Sequence, residues 1–362
     1  MQTITAARRR ERMDSYFETN GALDFSKVPP SQEIQDTVVK TLDNVRDHEK
    51  IMCAVSGGYD SDIVLDLLVR CGAKEKTTFV FNDTGLEHEA TKKHLSYLEQ
   101  QYGISIKWLK PKKAIPTCCR EYGVPFWSKY VSSMIYRLQK HRFQWEDEPL
   151  DVLLKQYPNC RSALRWWTND FRTESGQISR FNIEYVSYLK EFLIWYKPEI
   201  KISSLCCEYA KKVPAHNELK NGGYDLNCTG IRKSEGGQRS TVYKSCFDLV
   251  EFGADNFRPL FYWADSDKDL YREFFRLKRS DCYEVWGMDR TGCAGCPFGK
   301  EFEKELSLVE KYEPPKRKLM EAVFGDSYKL TREFLNFRKI EKGGGVQMNL
   351  FDTCPPEGDE DA

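Results

Sequence analysis

The sequence predicts an α/β fold with a doubly wound, mostly parallel sheet, and three observations support this class. Apolar strand-like runs alternate with helical patterns between residues 50 and 110. A glycine-rich turn at 56–61 joins the first of these runs to a helix. The second run ends in a polar stretch at 82–85, where ligands bind in sheets of this kind.

The elements of this sheet follow one another closely along the chain. Short runs of apolar residues predict strands at 51–55, 77–81 and 104–109. Helical spacing predicts helices from about Asp62 to Arg70 and over 88–102. Later in the chain, further strands are expected at 224–231 and 258–263, and separate helices at 314–324 and 331–340.

Changes in composition and pattern divide the 362 residues into six segments. We expect an N-terminal helical extension (1–48), a nucleotide-binding core (49–110), a helical insertion (111–200), a completion of the core that carries a cysteine cluster (201–300), C-terminal helices (301–342) and a flexible acidic tail (343–362). Within the insertion, Trp166 and Trp167 are expected to pack in a core rather than stack on bases.

The turn after the first strand has the features of a phosphate-binding device. Gly57 and Gly58 let the main chain approach phosphates, and the free N–H groups of the following helix start attract anions. Ser56 and Ser61 add hydroxyl donors, and Asp60 is a candidate magnesium ligand. The turn lacks the usual G-x-x-x-x-G-K-[ST] and G-x-G-x-x-G patterns. Its structural alternative is an ordinary strand–turn–helix joint.

Composition restricts the class of protein. The chain has 55 basic and 55 acidic residues, so its overall charge gives no case for nucleic-acid binding. Residues 1–13 contain no apolar stretch of the kind a signal peptide has, and no 18-residue apolar run occurs, so we expect a cytoplasmic protein that does not associate with membranes. Thirteen cysteines in such a protein indicate metal or redox chemistry rather than disulfide bonds.

Two cysteine pairs are candidate metal ligands: Cys206 with Cys207, and Cys293 with Cys296. Four thiolates suit a [4Fe–4S] cluster or a structural zinc ion. The side chains of adjacent cysteines diverge, which favours the wider cluster over a single tetrahedral zinc. Cys282 lies near the second pair and is an alternative fourth ligand.

Five motifs occur in the order found in the PAPS/APS reductase family: SGGYDS, FNDTGLEHEAT, CCEYAKKVP, GIRKSEGGQRS and RTGCAGCPFG. The chain resembles this family, and its iron–sulfur-bearing branch in particular, over residues 48–300. The resemblance implies an adenine nucleotide alpha-hydrolase-like fold. It also implies a pyrophosphate loop (PP-loop, residues 56–61) that binds ATP, APS or PAPS, with Mg²⁺ if ATP is the substrate, beside a [4Fe–4S] cluster.

The resemblance also implies roles for single residues. Asp83 and Gly85 would line the nucleotide pocket, and Lys211 would lie between cluster and substrate. Arg232 and Arg239 would face the anionic end of the nucleotide, because a guanidinium binds oxyanions through two hydrogen bonds. The family's C-terminal catalytic cysteine string is absent.

In place of that string, Cys354 in the tail is the candidate nucleophile. Tyr59 stands where many relatives carry a charged residue.

These features leave three functions open. The first is sulfonucleotide reduction or ATP-dependent sulfur transfer, with a sulfur- or electron-donor protein as partner. The second, also within the PP-loop enzymes, is the ATP pyrophosphatase component of a DNA sulfur-modification system. The tail from Gln347 to Phe351 is consistent with a DNA link, because it resembles the peptides that dock on the sliding clamp. The third is a non-catalytic nucleotide-binding module with a structural zinc.

Overall fold

The computed structural model describes residue 16 and residues 23–177, 179–235, 243–249, 253–298 and 302–343. The chain forms two compact units. Unit 1 comprises Met1–Cys118, Cys206–Cys296 and Glu301–Val323, and unit 2 comprises Cys119–Leu205, Pro297–Lys300 and Phe324–Ala362. Arg239, Cys354 and the predicted clamp-binding peptide at 347–351 lie outside the described residues, as does most of the segment 1–22.

Unit 1 contains a six-stranded sheet whose strands are β1 (Ile51–Ala54), β2 (Thr77–Asn82), β3 (Ile106–Leu109), β4 (Leu226–Cys228), β5 (Phe247–Asp248) and β6 (Asp255–Phe257). The strand order is β3-β2-β1-β4-β6-β5, and every pairing is parallel except that of β5 with β6. The predicted doubly wound, mostly parallel sheet is therefore confirmed. The strand order changes direction between β1 and β4, which makes this position a topological switch point. In sheets of this kind, ligands bind at the switch point.

The α-helices in the described part of the chain are α1 (Gln32–Asp47), α2 (Tyr59–Arg70), α3 (Glu89–Tyr102), α4 (Ile115–Tyr122), α5 (Lys129–Lys140), α6 (Leu150–Gln156), α7 (Arg161–Trp167), α8 (Leu189–Tyr196), α9 (Leu205–Cys207), α10 (Val213–Gly222), α11 (Asp265–Phe275), α12 (Asp281–Glu284), α13 (Phe302–Tyr312) and α14 (Pro314–Glu341). None of them combines the length and the hydropathy that crossing a lipid bilayer requires.

Both faces of β1 are buried, which explains its continuous apolar sequence. Ile51 and Cys53 belong to the main core, which includes residues of α1, α2 and α3, while Met52 packs with Val80 and Tyr224 in a smaller cluster. Alternate side chains of β1 thus point into two separate cores, one on each face of the sheet, as expected for a central strand.

A buried polar network holds α2 in place within unit 1. The carboxylate of Asp66, which is fully buried, accepts hydrogen bonds from Arg70 Nε, Tyr102 Oη and Tyr271 Oη, each at 2.7 Å. Tyr271 Oη also lies 2.7 Å from Tyr16 Oη. Because these partners come from α2 itself, α3, α11 and the N-terminal segment, the network fixes the helix that follows the PP-loop.

Unit 2 has its own aromatic core. Trp166 and Trp167 are at most 1% exposed, as predicted, and they share a cluster with Phe126, Phe192 and Phe334. The helices α5 and α6 lie within residues 111–200, the segment predicted to be a helical insertion. These contacts bury the tryptophan pair and leave it no open ring face for stacking on bases.

Two predictions of secondary structure are wrong. Residues 258–263 form turns rather than a strand: the N–H of Phe261 donates to Arg258 O and that of Trp263 to Leu260 O. Their burial produced a strand-like pattern, and Pro259 within the run cannot donate to a ladder. The two C-terminal helices are one helix, α14, whose middle is buried at Ser327.

Candidate functional site

The PP-loop turns the chain from β1 into α2. Gly57 has a φ of +66°, and a β-carbon placed on it would lie 2.9 Å from Thr91 Cγ2. Gly58 is the N-cap residue of α2. Ser61 Oγ donates to Gly58 O at 2.8 Å, and the N–H of Ser56 donates to Ser61 Oγ at 3.1 Å. The loop is therefore shaped by its own hydrogen bonds, while the first N–H groups of α2 have no intrahelical partner and suit an anion.

Helix α2 begins at Tyr59, three residues earlier than predicted, so Asp60 lies in its first turn. Gly57 adopts a left-handed conformation, which lets the chain turn within two residues so that the helix starts at Tyr59. The carboxylate of Asp60 lies 3.3 Å from Arg232 Nε and 3.5 Å from Lys268 Nζ. Two cations thus approach this carboxylate, while among the described residues its buried Oδ1 has no hydrogen-bond partner, so the magnesium role of Asp60 stays a prediction.

The segment that follows β4 passes closely over the start of α2. A β-carbon on Gly230 would lie 2.9 Å from the carbonyl carbon of Asp60 and 3.0 Å from the nitrogen of Ser61. Arg232 is 6% exposed, and besides Asp60 it binds Asp265 through Nη2 at 3.0 Å. Arg232 therefore clamps this segment to the PP-loop, and its predicted contact with the nucleotide stays a prediction.

The loop after β2 is built around a buried carboxylate that the sequence did not single out. Glu87, which is 3% exposed, accepts hydrogen bonds from the N–H groups of Thr84 and Gly85, each at 3.0 Å. Asp83 accepts from the N–H of Gly85 at 3.1 Å and contacts Lys110 Nζ at 2.6 Å. Partial burial raises the pKa of Asp83, but Lys110 and the N–H of Gly85 together with Glu87 outweigh it and hold that pKa below its usual value.

The turn at 293–296, called here the cysteine turn, is fixed on this loop. Cys293 forms an isolated antiparallel bridge with Glu87, and Thr84 Oγ1 lies 3.5 Å from Cys293 Sγ. Within the turn, the N–H of Cys296 donates to Cys293 O at 3.1 Å. The cysteine turn therefore lies at the carboxyl edge of the sheet, on the same edge as the PP-loop.

The other cysteine pair lies on a helix with an irregular turn. Cys206 and Cys207 end α9, and a π-helical turn at Glu208–Lys212 separates them from α10. The N–H of Val213 donates to Glu208 O, five residues back. Pro214 follows and has no N–H to continue an α-helical ladder. Turns of this type occur frequently at functional sites.

Lys211 connects the two cysteine pairs electrostatically. Burial lowers the pKa of Lys211, but the negative charges available on Cys293, Cys207, Glu87 and Cys296 outweigh burial and raise that pKa above its usual value. Three of the four predicted ligands thus contribute to the electrostatic environment of this ammonium group.

Cys206 is itself buried, and among the described residues no three Cys, His, Asp or Glu side chains are grouped closely enough to hold a single metal ion. Cys282 is fully buried in a small cluster with Ala90 and Met288, where burial raises the pKa of its thiol.

A tyrosine and a threonine join the PP-loop to the cysteine turn. A β-carbon on Gly58 would lie 3.2 Å from Tyr283 Oη and 3.6 Å from Thr291 Oγ1. The N–H of Thr291 donates to Tyr283 Oη at 3.1 Å, two residues before Cys293. The glycine turn and the cysteine turn therefore lie near each other through Tyr283 and Thr291, and the predicted convergence of all four thiols on this site stays a prediction. Single residues such as Tyr283 and Glu87 carry no pattern that would have identified them.

The fold and the site together define an α/β protein with a PP-loop. Residues 50–160 match the family model of the phosphoadenosine phosphosulfate reductase domain. Over these residues the match confirms the resemblance seen in the motifs SGGYDS and FNDTGLEHEAT, and this part of the chain is a PAPS reductase-like domain. The match includes the PP-loop and the loop after β2, whereas the four candidate cysteine ligands lie outside it.

Individual relatives are distant. An uncharacterised protein of Methanocaldococcus jannaschii is 25% identical over 280 residues, which are 72% of this chain and 42% of that protein. The chain thus spans about two fifths of the length of this curated relative.

Among solved structures, a PAPS reductase of Candida auris in complex with phosphate has a TM-score of 0.38 at 14% identity and covers 73% of this chain and 95% of its own. A U34-tRNA thiolase of Methanococcus maripaludis with its [4Fe–4S] cluster has a TM-score of 0.34 at 14% identity, covering 82% and 78%.

Proposed function

We propose that this protein is an enzyme that binds an adenine nucleotide on the PP-loop and uses it in sulfur chemistry at the neighbouring cysteines. The observation that carries the proposal is the junction at Gly58, where Tyr283 and Thr291 meet the start of α2. A helix start that suits anions and a pair of thiols thereby share one edge of the sheet. An ordinary strand–turn–helix joint has no need of that combination.

The chain's own groups supply the binding chemistry of this proposal. The first N–H groups of α2 and the hydroxyls of Ser56 and Ser61 would hold phosphate or sulfate oxygens and stabilise negative charge on the leaving group. The ammonium of Lys211, held among the thiols, would orient an anionic sulfur species or the nucleotide beside them. Asp83 and Gly85, at the end of β2, would line the nucleotide pocket.

Two reactions fit this arrangement. In the ATP-dependent one, an acceptor oxygen attacks the α-phosphate, pyrophosphate leaves, and a sulfur nucleophile then displaces AMP from the adenylated acceptor. In the reductive one, a thiolate attacks the sulfur of APS or PAPS, the S–O bond breaks, and the nucleotide leaves with the bonding electrons. The match of residues 50–160 to the reductase domain favours keeping the second reaction as a full candidate.

The cofactor in this proposal is a [4Fe–4S] cluster held by Cys206, Cys207, Cys293 and Cys296. The chemistry of the donor set suits such a cluster, because cysteine thiolates are its usual ligands, and two of the four come from one turn at the carboxyl edge of the sheet. A zinc ion held by the same residues is the alternative. When bound, the cluster would supply a soft, sulfur-binding centre.

A third candidate is a nucleotide-binding module without turnover, and it shares the PP-loop but not the sulfur chemistry.

The partner of the enzyme would be a sulfur- or electron-donor protein. The tail at 347–351 would add an association with the sliding clamp or DNA. The two reactions release different products, and the module releases none.

The test begins with protein purified without oxygen, whose iron and zinc contents are counted. We expect iron with broad absorption near about 400 nm, and we expect its loss in Cys293→Ser but not in the partly exposed control Cys246→Ser. The protein is then offered ATP, APS and PAPS. Pyrophosphate indicates the ATP-dependent reaction, and sulfite indicates the reductase. Nucleotide binding without any product would refute the enzymatic proposal.

A further inference from the structure

Arg279, beside the PP-loop, has no carboxylate partner for its charge among the described residues. Arg279 lies between α11 and α12, and its Cζ is 5.2 Å from the ring centroid of Tyr59 and 5.7 Å from that of Tyr283. Its Nε is buried and makes no hydrogen bond, and within the described chain its guanidinium pairs with no carboxylate. A buried donor without a partner is costly unless a ligand satisfies it.

The two tyrosines that hold Arg279 are themselves fixed at the loop. Tyr59 is the first residue of α2, and its hydroxyl donates to Lys268 O at 3.0 Å and to Asp269 Oδ1 at 2.9 Å. Tyr283 Oη faces Gly58, the N-cap residue of the same helix. Cation–π contacts with both rings therefore keep the guanidinium next to the helix start that suits an anion.

Two other cations near this helix start are already paired with carboxylates. Arg232 is paired with Asp60 and Asp265, and the Nζ of Lys268 lies 3.5 Å from Asp60 and 3.0 Å from Asp265. Arg279 differs from both, because its charge and its fork of N–H donors are not committed to a carboxylate. A tetrahedral oxyanion is the chemical group that such a fork binds best.

We propose that Arg279 binds the distal oxyanion of the nucleotide, the terminal phosphate of ATP or the sulfate of APS, and so selects nucleotides that extend beyond the α-phosphate. This inference rests on the proposed function, since it assumes that an adenine nucleotide occupies the PP-loop. It adds a specificity residue from a segment more than 200 residues away from the loop.

The test measures dissociation constants of AMP, ADP, ATP, APS and inorganic pyrophosphate by calorimetry. In Arg279→Gln we expect binding of ATP or APS to weaken about 10- to 100-fold, while AMP changes less than about twofold. Arg279→Lys should recover part of the loss, because it keeps the charge without the fork. The larger loss, with ATP or with APS, identifies phosphate or sulfate as the distal group.

The matched control is Lys278→Gln, which removes one positive charge from the next residue. Its Nζ lies 5.5 Å from the ring centroid of Tyr97, and it should leave all five constants unchanged. Thermal unfolding of each variant checks the fold. Equal losses for AMP and ATP, or no loss, would overturn the assignment of Arg279 alone. A wild-type protein that binds none of the nucleotides would overturn the proposed function as well.

Discussion

Replacing Gly57 by alanine should separate backbone strain from steric crowding in the PP-loop. Its φ of +66° costs an alanine about 1–2 kcal/mol. Its β-carbon would also meet Thr91 Cγ2 at 2.9 Å, and such overpacking costs about 1–3 kcal/mol more. We therefore expect Gly57→Ala to lower the free energy of unfolding by about 2–5 kcal/mol.

Gly72 offers a matched control. Its φ is +76°, but nothing lies within 4 Å of a β-carbon placed there. Gly72→Ala should therefore lose only the backbone contribution of about 1–2 kcal/mol. Adding Thr91→Ser to Gly57→Ala removes the crowded methyl group and should restore about 1–3 kcal/mol.

Urea unfolding of the four proteins, followed by circular dichroism, measures these differences, and ATP titration shows whether the loop still binds. If Gly57→Ala and Gly72→Ala lose equal stability, or if Thr91→Ser restores none of it, the reasoning about the packed loop is wrong.

Three further predictions follow from the same unit. Gly230→Ala should cost about 1–3 kcal/mol and weaken nucleotide binding, because its β-carbon would meet the backbone of the first turn of α2, whereas Gly292→Ala, in open space, should cost less than about 0.5 kcal/mol in urea unfolding. Burial lowers the pKa of His88, but two glutamates at 3.6 and 3.4 Å raise it above the usual 6.5. The free energy of unfolding of wild type should therefore exceed that of His88→Gln by its full amount below about pH 6.5, and this difference should fall as the pH rises through the folded-state pKa. A difference that does not change with pH would contradict this. Tyr271→Phe should cost about 1–3 kcal/mol, because it leaves a buried carboxylate short of a donor, and the exposed Tyr262→Phe should cost less than about 0.5 kcal/mol; equal losses would show that the network contributes little.

The sequence was sufficient for the parts of the fold that depend on local pattern. The alternation of strands and helices between 50 and 110 predicted the parallel sheet, because both faces of β1 are buried and its residues are continuously apolar. The residue types at Gly57 and Gly58 likewise predicted the phosphate-binding turn. The start of α2 at Tyr59 was missed, since it depends on the left-handed conformation of Gly57.

The rest of the site depends on contacts between distant parts of the chain. Arg279 acquires its position from Tyr59, more than 200 residues earlier, and Glu87 acquires its importance from a bridge to Cys293. No spacing rule connects such residues. Arg232 was singled out as a contact of the nucleotide, which stays a prediction, and only the structure shows that Asp60 and Asp265 hold its guanidinium.

The π-helical turn at Glu208–Lys212 places one extra residue between the Cys206–Cys207 pair and α10. Each residue of an α-helix advances the chain by about 100° around the helix axis. Deleting one residue of this turn would therefore rotate the thiols and Lys211 by about that angle relative to α10, while its packing on the sheet stayed the same. A single inserted residue thus sets the direction in which the cysteine pair points around the helix axis. The hydrophobic face that anchors α10 does not depend on it.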